Sequence, residues 1–93
     1  MIVGIIYLEL LIPHTGSLKE KRSVVNSYKK RIQNKFNVSI AEVDFQDKWQ
    51  RAALGISFVG NDKAQLDSLI TKLENFTESD FRVTLTKWEV RYI

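Results

Sequence analysis

The sequence predicts an α+β fold in which two helices cover one face of a four-stranded antiparallel sheet. Three observations carry the prediction. Apolar periodicity switches between strand and helix in the order strand, helix, strand, strand, helix, strand. Two helix starts have capping-box spacing, and a short polar link joins the two middle strands.

The first strand, Ile2 to Ile12, is apolar on both parities, with Ile6, Leu8 and Leu10 on one side and Val3, Ile5 and Tyr7 on the other. That is the pattern of a central strand with both faces covered. Pro13 to Gly16 breaks it, and Ser17 followed three residues later by Glu20 starts a helix, since the two side chains can satisfy two orphan amides. Leu18, Val25, Tyr28, Ile32 and Phe36 fall within about 80° of arc and form its buried stripe, and Asn37 closes it. Val38 to Phe45 reads as a strand, the polar run Gln46, Asp47, Lys48 as a turn, and Ala52 to Gly60 as the returning strand. The second helix starts at Asp62, with Gln65 at capping-box spacing and Leu66, Leu69, Ile70, Leu73 and Phe76 as its apolar stripe. Phe81 to Ile93 is the last strand. Its apolar residues are odd at Phe81, Val83 and Leu85 but even at Trp88, Val90 and Tyr92, which requires an extra residue and predicts a bulge near Thr86 or Lys87.

This order is the split β-α-β unit counted twice. Right-handed crossovers then give a ferredoxin-like β-α-β-β-α-β sandwich with strand order 4-1-3-2 and both helices on the face of Ile6, Leu8, Leu10, Leu54, Ile56 and Phe58. Residues 1–93 are expected to form a single domain, too short for a second core. A domain this small buries a modest share of its surface, so a homodimer is expected.

Without cysteine there is no disulfide, thiolate nucleophile, iron–sulfur cluster or cysteine zinc site, and a reducing cytoplasm is the default compartment. The apolar run Met1 to Ile12 lacks a basic leader and a small-residue cleavage site and is too short to span a bilayer, so no membrane partner is expected. Enzymatic signatures are equally sparse. There is no phosphate-cradling glycine loop, no metal-ligand cluster and no nucleophile elbow, so no metal, cofactor or catalytic residue is assigned. Glu42 and Asp44 alternate on a strand and are expected to share a face, and His14 sits in a loop at a helix start, the one place a small hydrolase of an anionic substrate could use. Acylphosphatase-like enzymes of this topology need a glycine-rich loop and an arginine after the first strand, which Pro13 to Ser17 does not supply; copper-chaperone domains need paired cysteines.

Three surfaces remain. Leu18 to Phe36 holds seven cations against Glu20 alone, a balance of +6 that leaves −3 for the rest of a chain at +3. Within it Lys19, Arg22, Lys29 and Lys30 lie within about 100° of one another and could meet successive phosphates. The same face reads equally as merely solvated. Lys21 is counted with these cations as a candidate contact to a nucleic acid or acidic partner, but it falls inside the apolar stripe, so it either snorkels past the core edge or pairs with Glu42 or Asp44. The second surface is the hairpin run Gln46, Asp47, Lys48, Trp49, Gln50, Arg51. It reads either as a contact site, with Trp and Arg as anchors, or as a turn fixed by an Asp47–Arg51 pair under a packed Trp49. The third is the open sheet face, Val3, Ile5, Tyr7, Ala53, Gly55 and Ser57, expected to meet a second copy or a partner strand. An RNA-recognition module would place two stacking aromatics on that face in its third strand; Phe58 has core parity, so base stacking there is disfavoured.

The stretch Ser17-Leu18-Lys19-Glu20-Lys21-Arg22, together with Ala41-Glu42-Val43-Asp44 leading into Gln46-Asp47-Lys48-Trp49-Gln50-Arg51-Ala52, resembles the YlxP-like bacterial family (domain of unknown function 503). The resemblance spans essentially the whole chain. It implies a ferredoxin-like fold, a cytoplasmic bacterial protein, and a gene neighbourhood of translation and ribosome-maturation factors. Phe45 stands where that family often has histidine. The combined expectation is a non-enzymatic binding or accessory protein that meets ribosomal RNA or a ribosomal protein through its basic helix. The alternatives are a protein–protein adaptor or dimerisation module on the open face, and the small hydrolase.

Overall fold

Each apolar period of the sequence becomes one element in a computed structural model that describes residues 1–93. The elements are β1 (Ile2–Leu11), α1 (Leu18–Lys35), β2 (Ser39–Asp44), β3 (Arg51–Gly60), α2 (Lys63–Glu78) and β4 (Thr84–Tyr92). The strands form one antiparallel sheet in the order β2-β3-β1-β4, the expected 4-1-3-2 read from the other edge.

Both helices bury their stripes on the same side. Val25, Tyr28 and Ile32 of α1 and Leu66 and Leu73 of α2 share one core with Ile6, Leu8, Leu10, Leu54 and Ile56. Full burial of each such side chain contributes about 1.5–3 kcal/mol. Gly4 allows one of the tighter contacts, because a methyl group there would fall inside the Phe58 ring lying across β1.

The helix starts obey the spacing with two adjustments. Ser17 accepts from the Glu20 amide at 3.1 Å, but the Glu20 carboxylate reaches back to the Gly16 amide at 3.0 Å rather than to Ser17. Asp62 accepts from the Ala64 amide at 2.9 Å and so caps α2 without help from Gln65.

The expected bulge falls at Thr86. Glu9 pairs with Lys87 and Leu10 with Leu85, so Thr86 is the extra residue, and its hydroxyl donates to the Glu9 carbonyl at 3.1 Å. A second bulge was not foreseen. Glu42 pairs with Leu54 but Asp44 with Ala53, leaving Val43 as the inserted residue of β2. The last strand also starts later than the parity suggests. Asp80 turns the chain after α2, accepting from the Arg82 amide at 3.0 Å, and this turn throws Phe81 into solvent, 93% exposed, so that the strand begins only at Thr84.

Candidate functional site

Seven cations on one helix have different fates. Lys21 is fully buried; its ammonium donates to the Glu42 carboxylate and to the Phe45 carbonyl, the latter at 3.0 Å. This fulfils the pairing read from its wheel position and removes Lys21 from the candidate binding residues, because nothing outside can reach it. Arg31 donates to Asp80 at 2.9 Å and lies over the Phe76 ring, and Lys35 sits 4.8 Å from the centre of the same ring. Lys19, Arg22, Lys29 and Lys30 form no ion pair. They share the outer face of α1 with Ser23, Asn26 and Gln33, and the single acid of the helix, Glu20, is turned to its own N-terminus. The ridge is therefore a strip of unneutralised positive charge.

The β2–β3 hairpin is pinned to the N-terminal end of that ridge. Thr15 donates its hydroxyl to the Trp49 carbonyl at 2.6 Å, Gln50 donates to the Thr15 carbonyl at 3.3 Å, and the Ile12 amide donates to the Gln50 carbonyl at 2.9 Å. The Trp49 ring itself is 55% exposed, with Gln46, Asp47 and Lys48 beside it in solvent. The expected Asp47–Arg51 pair does not form. Arg51 lies instead across Phe45, 3.9 Å from the ring centre, and donates to Glu9 at 3.2 Å, because the Val43 bulge and the left-handed backbone of Phe45 (φ 61°) bring that ring over β3. Gln50 and Arg51 are thus occupied internally.

The same bulge separates the two acids. Glu42 faces the core and Lys21, whereas Asp44 pairs in register with Ala53 on the opposite face and accepts from the Phe45 amide. They do not share a face, which removes the only carboxylate pair. No cluster of three His, Asp or Glu side chains converges anywhere in the molecule. His14 is exposed in its loop.

On the open sheet face Val3, Ile5 and Tyr7 are half-buried, Ser57 is exposed, and Val43 lies against Gly55. Ala53 was expected among the contact residues, yet it is fully buried, since the Glu9–Arg51–Phe45 bridge spans the strands on either side of it. Edge strand β4 adds the charged residues Lys87, Glu89 and Arg91 to this face. The Tyr7 hydroxyl donates to Glu9 at 2.8 Å, and this bond, chiefly, raises its pKa above the ordinary value.

One feature of this end of the molecule escaped the sequence. A cleft of about 390 Å³ opens between the start of α1 and the turn after α2, with Ile12 and Val24 as apolar lining, His14, Thr15 and Ser23 as polar lining, Glu20 and Arg82 as charged lining, and Phe81 at its rim. The local signal was Asp80, a residue that favours turns, directly before the aromatic.

Residues 3–90, from β1 through β4, match the family described as "Protein of unknown function (DUF503)". The chain belongs to this family. It is also 40% identical over 90 residues to the "Uncharacterized protein YlxP" of Bacillus subtilis (strain 168), an alignment covering 92% of this chain and 98% of that protein. α1, β2, β3 and α2 of the DUF503 chain, with the Lys21–Glu42 contact and the Trp49 hairpin, lie inside the matched span, which also takes in all of β1 but Ile2 and β4 as far as Val90. Neither description names a ligand or a reaction. No helix of this DUF503 member is long and apolar enough to cross a membrane.

Proposed function

We propose that the protein is a non-enzymatic accessory factor that binds structured RNA, such as ribosomal RNA, in the cytoplasm through the outer face of α1. The carrying observation is that Lys19, Arg22, Lys29 and Lys30 stand together without ion-pair partners, while the other cations of the helix are consumed by internal contacts. A folded chain that needed these residues only for solubility would gain by interspersing acids, as β4 does with Glu89. An unneutralised ridge instead attracts a polyanion and releases its counterions on contact. The exposed Trp49, with Lys48, extends the same surface at its N-terminal end.

Four phosphate contacts give a slope of log affinity on log salt of about −3 to −4. The test is affinity for a ribosomal RNA fragment across a salt series, comparing the wild type with the triple charge reversal Lys19→Glu, Arg22→Glu, Lys29→Glu. The reversed protein should lose binding; equal binding by both proteins would eliminate the reading.

A second reading rests on the exposed valines of the open face. Val43 and Val59 are 50% and 65% exposed beside half-buried Val3 and Ile5, which suits a homodimer or an adaptor contact. A solution mass twice that of the chain, reduced to one by Val59→Lys, supports this surface.

A further inference from the structure

We infer that the cleft beside Phe81 receives an unpaired base of the bound RNA, a reading that rests on the RNA-binding function proposed above. The Phe81 ring is 93% exposed, yet its backbone is not loose. Asp80 receives the Arg82 side chain at 2.8 and 3.1 Å and Arg31 at 2.9 Å, and Arg82 continues to the Ser27 hydroxyl at 3.1 Å, so the turn is clamped to α1. A large apolar ring held rigidly in water forgoes burial that a stacking partner would restore.

The slot next to that ring has the composition a nucleobase requires. Ile12 and Val24 supply apolar lining, Ser23 and His14 supply polar groups that no internal hydrogen bond occupies, and the two charged lining residues are already engaged, Glu20 on the Gly16 amide and Arg82 on Asp80. Its volume of about 390 Å³ lies within the range of small-ligand sites. Charge then selects the occupant. Lys19 precedes Ser23 by four residues and Lys30 follows it by seven, so both stand on the column of α1 that borders the cleft. A phosphate backbone following the ridge passes the mouth of the cleft, and a base without a pairing partner can turn in against Phe81. Aromatic side chains beside a cationic track are the usual means of holding unpaired nucleotides.

The experiment compares two probes, a short RNA hairpin with one bulged adenine and the same hairpin fully paired, both at low salt. Wild type should prefer the bulged hairpin. Phe81→Ala should lose roughly 10-fold for the bulged hairpin and nothing for the paired one. Phe81→Trp should retain the preference and show fluorescence quenching with the bulged probe beyond that of the wild type. Unchanged binding of the bulged hairpin by Phe81→Ala overturns the inference. If the ridge reversal abolishes binding of both hairpins while Phe81→Ala changes neither, the base pocket alone is refuted. If wild type binds neither, the RNA-binding reading falls with it.

Discussion

Lys21 and Glu42 join α1 to edge strand β2 through a buried ammonium that also holds the Phe45 carbonyl. The pair ties the basic ridge to the Trp49 hairpin. Removing one partner leaves the other charge in a low-dielectric environment, a cost of about 3–5 kcal/mol for a buried pair. Lys21→Ala should therefore lower unfolding stability by that order in urea titration. The double variant Lys21→Met, Glu42→Leu should lose much less than the sum of the single losses. The Phe45 carbonyl would keep its bond from the Lys48 amide at 3.0 Å, so no acceptor is orphaned. Additive losses in the double variant would show that the two charges do not depend on each other.

Phe45 has the only positive φ among non-glycine residues, at 61°. An L-residue pays about 1–2 kcal/mol for the left-handed region, and Asn, Asp and His enter it more readily than most. Phe45→Gly should remove that strain while losing the Arg51 contact, worth about 0.5–1 kcal/mol, for a net change within about 1 kcal/mol. Phe45→His should behave similarly. Phe45→Val, β-branched and unsuited to positive φ, should cost about 2 kcal/mol or more. Thermal unfolding of the three variants separates these cases, and a stable valine variant would contradict the left-handed assignment.

These contacts mark where the fold was legible from residues alone. Strand order followed from the element order and crossover handedness, and the Thr86 bulge from apolar residues on both sides of it that recorded the change of parity. β2 ends at Asp44, one residue past its own bulge, so no apolar run beyond Val43 could record the shift. The separation of Glu42 from Asp44 was hidden for that reason. Phe81 shared odd parity with Val83 and Leu85, and only the tertiary clamp of Arg31 and Arg82 on Asp80 shows that the chain has not yet entered the sheet. At the candidate site, helical periodicity was enough to isolate Lys19, Arg22, Lys29 and Lys30. Burial of Ala53 depends on side chains from two neighbouring strands and left no trace in its own segment.

Gly4 leaves no room for a side chain against Phe58. Gly4→Ala should destabilise by about 1–3 kcal/mol through overpacking, since the Phe58 ring is itself 4% exposed and has nowhere to retreat. Phe58→Leu in the same chain should recover part of the loss. A Gly4→Ala protein as stable as wild type in chemical denaturation would mean that the ring does not lie over β1.

Asp80 should govern stability in acid. Bonds from the Arg82 side chain, chiefly, hold its carboxyl below the ordinary range, with Arg31 adding to the effect. An acid with a depressed folded pKa contributes stability fully above its unfolded value of about 3.9, and loses it as pH falls through the folded value. Asp80→Asn should cost about 1–3 kcal/mol at neutral pH, where charged hydrogen bonds are lost. The gap between variant and wild type should close below about pH 4. A gap independent of pH would show that the carboxylate charge is not what clamps the turn.

The three tyrosines should titrate above the ordinary value for different reasons. Tyr7 is raised chiefly by its bond to Glu9, and Tyr92 to about 12 by its bond to Asp67. Tyr28 is raised further by burial, an effect partly offset by the neighbouring Thr77 hydroxyl, although that hydroxyl donates to the Leu73 carbonyl at 2.9 Å and makes no hydrogen bond of normal geometry with the phenol. Neutral phenols are thus favoured in the folded state. Their contribution is complete below the unfolded pKa of about 10 and declines as pH rises toward the folded values. Ultraviolet titration should show no full tyrosine ionising at the ordinary value, and Asp67→Asn should bring one down toward it. Tyr28→Phe should leave stability unchanged or raise it by up to about 1–2 kcal/mol, because it removes a buried hydroxyl that pairs with nothing. A marked loss of stability in that variant would mean that the hydroxyl has a partner in solution and that the core around α1 and α2 is wetter than this packing allows.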